Sequence, residues 1–284
     1  MPWPIDQLPY PFELTFMQRA LAASVAVGIF APTIGTYLVQ KRLSLVGDAV
    51  GHVAFSGVGV GVLAGLAPVA TALVLAVAGA VGIEQLRARK KATGDLALAL
   101  FFYSGIALGV VLISYGDGLN ADVNKYLFGQ PLTASSLDVL LILGIAAAIV
   151  GAAFVLRRLL LSVVIDEDWS TVAGLPVRFA NNLLAVLTAC AVVAAMRIVG
   201  ILLVAAMMVL PVASAQALGR SFTGVIRWAV AIGVFAAVAG LAAARVWDLA
   251  PGGTIVLVAA AVFAVVGAVR RGVTARLLQR EGRP

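Results

Sequence analysis

Two side chains that can bind a metal stand four residues apart in an otherwise apolar or small-residue stretch. They are Asp48 and His52, and His52 is the only histidine of the chain. If the stretch is helical, the carboxylate and the imidazole share one face about 6 Å apart along the axis, with Ser56 continuing the stripe. The pattern predicts a binding site for a divalent cation. The alternative interpretation is a hydrogen bond between Asp48 and His52 that only stabilises the helix.

Two ligands do not complete a metal site, because zinc prefers a tetrahedral set of N, O or S ligands and manganese takes more, mostly oxygen. A homodimer would supply the rest. Two copies of Asp48 and His52 that meet across a two-fold axis offer two imidazoles and two carboxylates, a set suited to zinc and tolerable for manganese. Such a site would hold an ion between two chains, and no permanently bound cofactor is expected.

The composition is that of a membrane protein. Of 284 residues, 62% are hydrophobic and 12% charged, against roughly 25% charged residues in soluble domains. No polar stretch is long enough for a separate soluble domain, so one transmembrane domain spanning residues 1–284 is expected. The net charge of +7 indicates cytoplasmic loops and lipid headgroups, not nucleic acid. The single cysteine, Cys190, is interpreted as a small buried hydrophobe.

Apolar runs long enough to cross a bilayer predict an all-α polytopic bundle of about nine transmembrane helices. The predicted spans are 14–39, 45–66, 67–86, 95–115, 136–160, 179–199, 200–219, 227–246 and 252–269. At Pro68 and Gly200 two spans meet with almost no polar linker, so either pair could be one broken or re-entrant helix.

Basic residues concentrate in alternate loops and predict the orientation. The clusters are Lys41 with Arg42, residues 87–91, Arg157 with Arg158, Arg178, Arg220 with Arg227, and residues 270–283. The positive-inside rule assigns these loops to the cytoplasm, which places the N-terminus outside and the C-terminus inside.

Small residues and one proline indicate how the helices pack. Gly57, Gly61 and Gly65 recur at every fourth position, a pattern that lets two membrane helices approach closely. Pro211 interrupts an apolar segment and predicts a helix kink with a freed carbonyl.

A polar loop at residues 162–178 is the second informative stretch. Acidic residues at 166–168 precede Trp169, and Gly174 follows, which predicts a short helix with acids at its N-terminal end and a glycine stop. The loop is interpreted as a docking segment. An interfacial turn with Trp169 at headgroup level is the alternative.

The chain carries no phosphate-binding Gly-x-x-x-x-Gly-Lys-[Ser/Thr] sequence and no catalytic triad. It is therefore predicted not to be an enzyme. If ATP drives its activity, the ATPase is a separate polypeptide.

Three separated stretches resemble the metal-ion permease family of ATP-binding-cassette importers, whose members take up zinc, manganese and sometimes iron. They are Gly47–His52 with Gly57, Leu127–Gly129 with Ser135, Ser136 and Asp138, and Val199 through Pro211 to Ala215. Ser56 is a departure, because the family often has a proline between the motif histidine and that glycine.

The resemblance implies a homodimer in the bacterial plasma membrane, two cytoplasmic ATPase subunits and an extracytoplasmic metal-binding protein that delivers the ion. It assigns Asp48 and His52 to the translocation path. It likens the loop to a coupling helix that contacts the ATPase, with these residues: Asp166, Glu167, Asp168, Trp169, Ala173, Gly174 and Leu175.

The sequence thus predicts an importer permease for a divalent metal, with zinc preferred and manganese or iron as the alternative within the family. A proton-coupled secondary metal transporter is the alternative from another class, since protonation of His52 could drive it. Such a carrier normally has further ionisable residues along its path, and these are scarce here. A structural membrane scaffold is the third possibility.

Overall fold

The computed structural model describes residues 11–89, 94–116 and 126–281, and within these ranges the secondary structure is entirely helical. Apolar segments form long helices because a helix satisfies all backbone hydrogen bonds within one segment, as a bilayer demands. The helices are α1 Thr15–Gln40, α2 Val46–Leu63, α3 Pro68–Ala88, α4 Gly94–Tyr115, α5 Ser136–Val155, α6 Arg157–Ile165, α7 Glu167–Val172, α8 Val177–Met196, α9 Ile201–Leu218, α10 Phe222–Val246 and α11 Pro251–Glu281.

The prediction of an all-helical membrane bundle is confirmed. Among the described residues, eight helices are long and apolar enough to cross a membrane, and α9 contributes a further, shorter apolar stretch at Leu203–Leu218. Eight of the nine predicted spans each correspond to one helix, and the remaining span, 136–160, also reaches into α6. Lys90, Lys91 and the end of the chain beyond residue 281, which entered the charge argument, lie outside the described residues.

The predicted span 136–160 was too long. Helix α5 ends at Val155, and Leu156 has φ −94° and ψ 12°, which interrupts the helix before α6 begins at Arg157. Two adjacent arginines favour the membrane boundary, so the chain turns there. Helix α6 then buries Leu160 and Val163 against the bundle.

Both uncertain joints are turns between separate helices. Four residues separate α2 from α3, and Gly65 within that turn has φ +65°. Gly200, with φ +93°, precedes α9 and separates it from α8. Left-handed backbone is strained for residues with a Cβ, so glycine permits both reversals.

Helices α1, α2 and α8 form the interior, whereas α4, α5 and α11 leave most of their surface uncovered. Helix α2 packs against α3, α4, α8 and α9. Any side chain on α2 is therefore placed by four neighbouring helices.

One end of the bundle gathers the end of α1, the end of α3, helix α7 and the start of α8, because Lys41, Arg87, Glu167 and Asn181 contact one another there. We call it the Lys41 end. The charge pattern likewise assigns these loops to one side of the membrane.

Candidate functional site

Asp48 and His52 lie in the first half of α2, one turn apart on the same face. The distance from His52 Nε2 to Asp48 Oδ1 is 3.8 Å, and their side chains are 9% and 31% exposed. This distance exceeds the length of a hydrogen bond, so the two groups do not form the direct lock that the alternative interpretation requires. Both keep lone pairs for a third partner.

Helix α4 holds His52 in place. The ring of Phe102 meets the imidazole edge-to-face with centroids 4.4 Å apart. A Cβ on Gly105 would lie 2.9 Å from the carbonyl carbon of His52, so the backbones of α2 and α4 are in direct contact. The imidazole is thus fixed by aromatic packing and by a close helix crossing.

Ser56 strengthens the same crossing. Its hydroxyl donates to the Gly105 carbonyl at 2.7 Å and lies 3.4 Å from the His52 carbonyl. The residue at which this sequence departs from the family pattern therefore links α2 to α4 through a buried hydrogen bond. The sequence shows that Ser56 lies one helical turn after His52, but it does not show that Gly105 of α4 is the hydrogen-bond partner of Ser56.

The opposite flank of α2 is covered by α9. Gly47 faces the sulfur of Met208, and Gly51 faces the side chain of Ile201. Met207 and Met208 are both fully buried and pack in the core. Pro211 lies inside α9, where its missing N–H leaves the carbonyl one turn earlier without its helical donor.

Among the three predicted packing glycines, Gly57 and Gly61 face α3. A Cβ on Gly57 would lie 2.5 Å from Ala72 Cα, and one on Gly61 would lie 2.7 Å from Pro68 Cα. Gly65 lies beyond the end of α2, and nothing lies within 4 Å of its Cβ position. It serves the turn instead.

Within residues 11–89, 94–116 and 126–281, no three His, Cys, Asp or Glu side chains come together in a way that could hold a metal ion. One chain therefore brings two candidate ligands, Asp48 and His52, to the same place.

The predicted short helix in the polar loop is α7. Asp166 caps it by accepting a hydrogen bond from the Trp169 amide at 2.8 Å, and Gly174, with φ +75°, ends the turn that follows. Buried Ser170 bonds to the Asp166 carbonyl and to Ser162 of α6. Trp169 and Val172 are 62% and 88% exposed. The helix thus presents an apolar surface outward.

Glu167 of α7 faces the other way, into the bundle. Its carboxylate lies 3.2 Å from Lys41 Nζ and 3.2 Å from Arg87 Nη2, and it accepts a hydrogen bond of 2.9 Å from the Asn181 amide. Glu84 also pairs with Arg87, at 2.8 Å. We call these five residues the Glu167 cluster.

The charges of the Glu167 cluster act on one another. Burial alone would raise the pKa of Glu167, but the positive charges of Lys41 and Arg87 outweigh it and hold that pKa below its ordinary value. Burial lowers the pKa of Lys41, and the charge of Arg87 lowers it further, against the opposing pull of Glu167. Sequence reasoning did not connect these residues, because they come from four separate segments.

A second contact zone lies at the opposite end of the bundle and joins two of the stretches that carry the family resemblance. The Gln130 amide donates to the Arg197 carbonyl at 3.1 Å, and the Arg197 guanidinium pairs with Asp138. Ser135 and Asp138 form a reciprocal cap at the start of α5. These contacts fix the end of α8 against the start of α5.

The fold is a polytopic bundle of apolar helices with a carboxylate and an imidazole one turn apart on a central helix, an arrangement typical of membrane transport proteins. The family model of the ABC 3 transport family matches residues 13–270, and the chain belongs to this family. It is an ABC-type metal permease subunit, a multi-pass protein of the bacterial plasma membrane.

Several relatives are similar over nearly their whole length. The manganese transport system membrane protein MntC of Halalkalibacterium halodurans is 32% identical over 92% of this chain and 88% of that protein. The manganese import system permease protein ScaB of Streptococcus gordonii is 29% identical over 89% and 91%. The solved structure of PsaBC from Streptococcus pneumoniae in complex with Fab has a TM-score of 0.81 and 31% identity, covering 89% and 91%.

Proposed function

We propose that this chain is the membrane subunit of an ATP-driven importer that moves a divalent transition metal into the cytoplasm through a path lined by Asp48 and His52. The observation that carries the proposal is the pair on α2, a half-buried carboxylate and a buried imidazole that do not bond to each other, in a family of metal permeases. A buried ionisable pair inside a membrane protein is costly and is retained where function requires it.

The complete site would use two chains. Because each chain offers two ligands, a two-fold axis beside the Asp48 face of α2 would bring together two carboxylates and two imidazoles. Asp48 is the more exposed of the two residues. A residue that contacts the second copy must be exposed in the single chain, so this agrees with the proposed two-fold axis. The transported metal would exchange its water for these four side chains.

The relatives favour manganese over zinc, which the sequence analysis preferred. The names of MntC and ScaB assign manganese to those proteins. Zinc remains the second candidate, because imidazole with carboxylate is a donor set that suits it. Selectivity between the two would depend on geometry and ligand number.

The ATPase would be a separate chain bound at the Lys41 end. Helix α7 offers Trp169 and Val172 outward on a rigid, capped turn, as a segment that fits a cleft of another protein would. In this proposal the Lys41 end faces the cytoplasm, and a metal-binding protein delivers the ion at the opposite end.

The test is uptake of radiolabelled manganese into proteoliposomes that hold the permease, its ATPase and its binding protein, with zinc as competitor. We expect Asp48→Asn and His52→Gln each to lower uptake by at least about tenfold, because each removes one ligand per chain. Asp95→Asn, which changes an exposed acid at the start of α4, is the matched control and should transport normally.

Normal uptake in both ligand variants would remove Asp48 and His52 from the path. Strong inhibition of manganese uptake by zinc, with zinc itself transported, would show that zinc is the transported metal. Metal uptake that proceeds without ATP and follows a proton gradient would show that the protein is a proton-coupled carrier and not an ATP-driven importer.

A further inference from the structure

We propose that Glu167 is a positioning residue inside the permease, which joins α7 to the helices that surround the metal pair and so transmits movement of α7 to them. The inference rests on the proposed function, in which α7 binds the ATPase. It differs from the role that the family resemblance gave Glu167, a direct contact with the ATPase.

The first argument is the direction of the side chain. Glu167 points into the bundle, where its carboxylate pairs with Lys41 and Arg87 and accepts a hydrogen bond from Asn181. Trp169 and Val172 of the same helix point outward. A six-residue helix therefore divides its side chains between an outer apolar surface and one inward ionic anchor.

The second argument is the burial of the partners. The Lys41 side chain is 6% exposed, and its ammonium also donates a hydrogen bond of 2.6 Å to the side-chain oxygen Oδ1 of Asn181. Arg87 is held from its other side by Glu84. Removing one partner from a buried ionic cluster leaves an uncompensated charge, so these groups move together with Glu167 or repack at a cost.

The third argument is where the partners lie along the chain. Lys41 directly follows α1 and precedes the turn that begins α2, the helix of Asp48 and His52. Arg87 belongs to the last turn of α3, and Asn181 lies near the start of α8. Both α3 and α8 pack against α2. A single carboxylate on α7 thus reaches the segment that leads into α2 and two of the four helices that pack against it, α3 and α8.

A small cavity adjoins the cluster and leaves space for small side-chain adjustments there. It is lined by Lys41, Leu43, Val46, Glu84, Arg87 and Asn181, together with apolar residues of α3 and α8. Val46 is the first residue of α2, so the cavity extends from the cluster to the helix that holds the metal pair. A tightly filled interior would resist such a movement.

The experiment compares Glu167→Gln with Asp95→Asn in the complete complex of permease, ATPase and binding protein, in proteoliposomes. Asp95 is an exposed acid at the start of α4 and lies outside α7, so it controls for the loss of one carboxylate. Trp169→Ala reports loss of the outward surface. Three quantities are measured for each: ATPase that co-purifies, ATP hydrolysed, and manganese taken up.

We expect Glu167→Gln to retain the ATPase and its ATP hydrolysis while manganese uptake per ATP falls about tenfold, the size of a typical coupling between sites. Asp95→Asn should match the wild type in all three quantities, and Trp169→Ala should lose the ATPase.

Two results would overturn the inference while the proposed function stands. One is normal uptake by Glu167→Gln in a working complex. The other is loss of the ATPase from Glu167→Gln to the same degree as from Trp169→Ala, which would make Glu167 a docking contact. A wild-type permease that binds no ATPase would overturn the proposed function and this inference with it.

If Glu167→Gln does not reach the membrane, Asn181→Leu takes its place, because it removes the uncharged member of the cluster and leaves the charges paired. Lower uptake with ATP hydrolysis retained supports the positioning role. Unchanged uptake contradicts it.

Discussion

Gly105 shows how one small residue on α4 places the His52 imidazole of α2. Its missing side chain lets the backbone of α4 touch the backbone of α2 at His52, and the Ser56 hydroxyl bonds to the Gly105 carbonyl across the same contact. Phe102, one turn earlier on α4, then reaches the imidazole. The position of His52 is thus decided by residues on another helix.

We expect Gly105→Ala to destabilise the permease by about 1–3 kcal/mol, the usual cost of forcing a methyl group into a packed site. The added carbon would lie 2.9 Å from backbone atoms of His52 and Val53, which cannot rotate away. The measurement is thermal unfolding in detergent. Gly144→Ala on α5 is the control, since nothing lies within 4 Å of its Cβ position. Equal unfolding temperatures for the two variants would contradict the close crossing.

Helix α7 is too short to be stable alone, and its place depends on contacts at both of its faces. Asp166 caps it, Ser170 ties it to α6, and Glu167 ties it to α1, α3 and α8. The apolar outer face is left for a partner. An element of six residues can therefore be rigid, provided that its anchor stays ionised.

The pH dependence of stability tests that anchor. The folded pKa of Glu167 lies below the ordinary 4.5, because Lys41 and Arg87 outweigh the effect of burial. A lowered carboxyl pKa stabilises the fold above the unfolded value, and this stabilisation is lost as the pH falls through the folded pKa. The other groups that face it are Glu84, which pairs with Arg87, and the uncharged amide of Asn181.

We therefore expect the wild type to unfold at a higher temperature than Glu167→Gln at neutral pH, and the difference to shrink as the pH falls below about 4.5. Thermal unfolding in detergent across this pH range is the measurement. A difference that is constant with pH would show that Glu167 contributes shape and not charge.

The whole molecule has two distinct ends, and Asp48 and His52 lie on a helix that runs between them. The Glu167 cluster lies at one end, and the Arg197–Asp138 pair, with the Gln130 contact, closes the other. The interior helices α1, α2 and α8 run between these ends. This arrangement suits alternating access, since each end has its own ionic contacts that can open separately.

The proposed sharing of the site between two chains predicts the stoichiometry of metal binding. We expect about one manganese ion for every two permease chains, because each chain brings two of the ligands. Elemental analysis of the purified complex measures this ratio, with Asp48→Asn as the variant that should lose the ion. One ion bound to each chain would contradict a shared site.

The sequence by itself determined the class of protein and the positions of its helices. Hydropathy and helical periodicity are local properties, so the nine apolar segments and the one-turn spacing of Asp48 and His52 follow from neighbouring residues alone. The capped short helix with its glycine stop was equally readable, because caps are set within a few residues. The predicted span 136–160 was wrong in its extent, since the break at Leu156 depends on how α6 docks.

Only the tertiary structure decided which side chains meet. Arg87 and Glu167 are 80 residues apart in the chain, and Ser56 and Gly105 are 49 apart. Glu167 was indistinguishable in the sequence from Asp166 and Asp168, yet the structure turns it inward and leaves the other two exposed. The physical reason is that partners of a buried charge are chosen by the packing of whole helices, which no local pattern encodes.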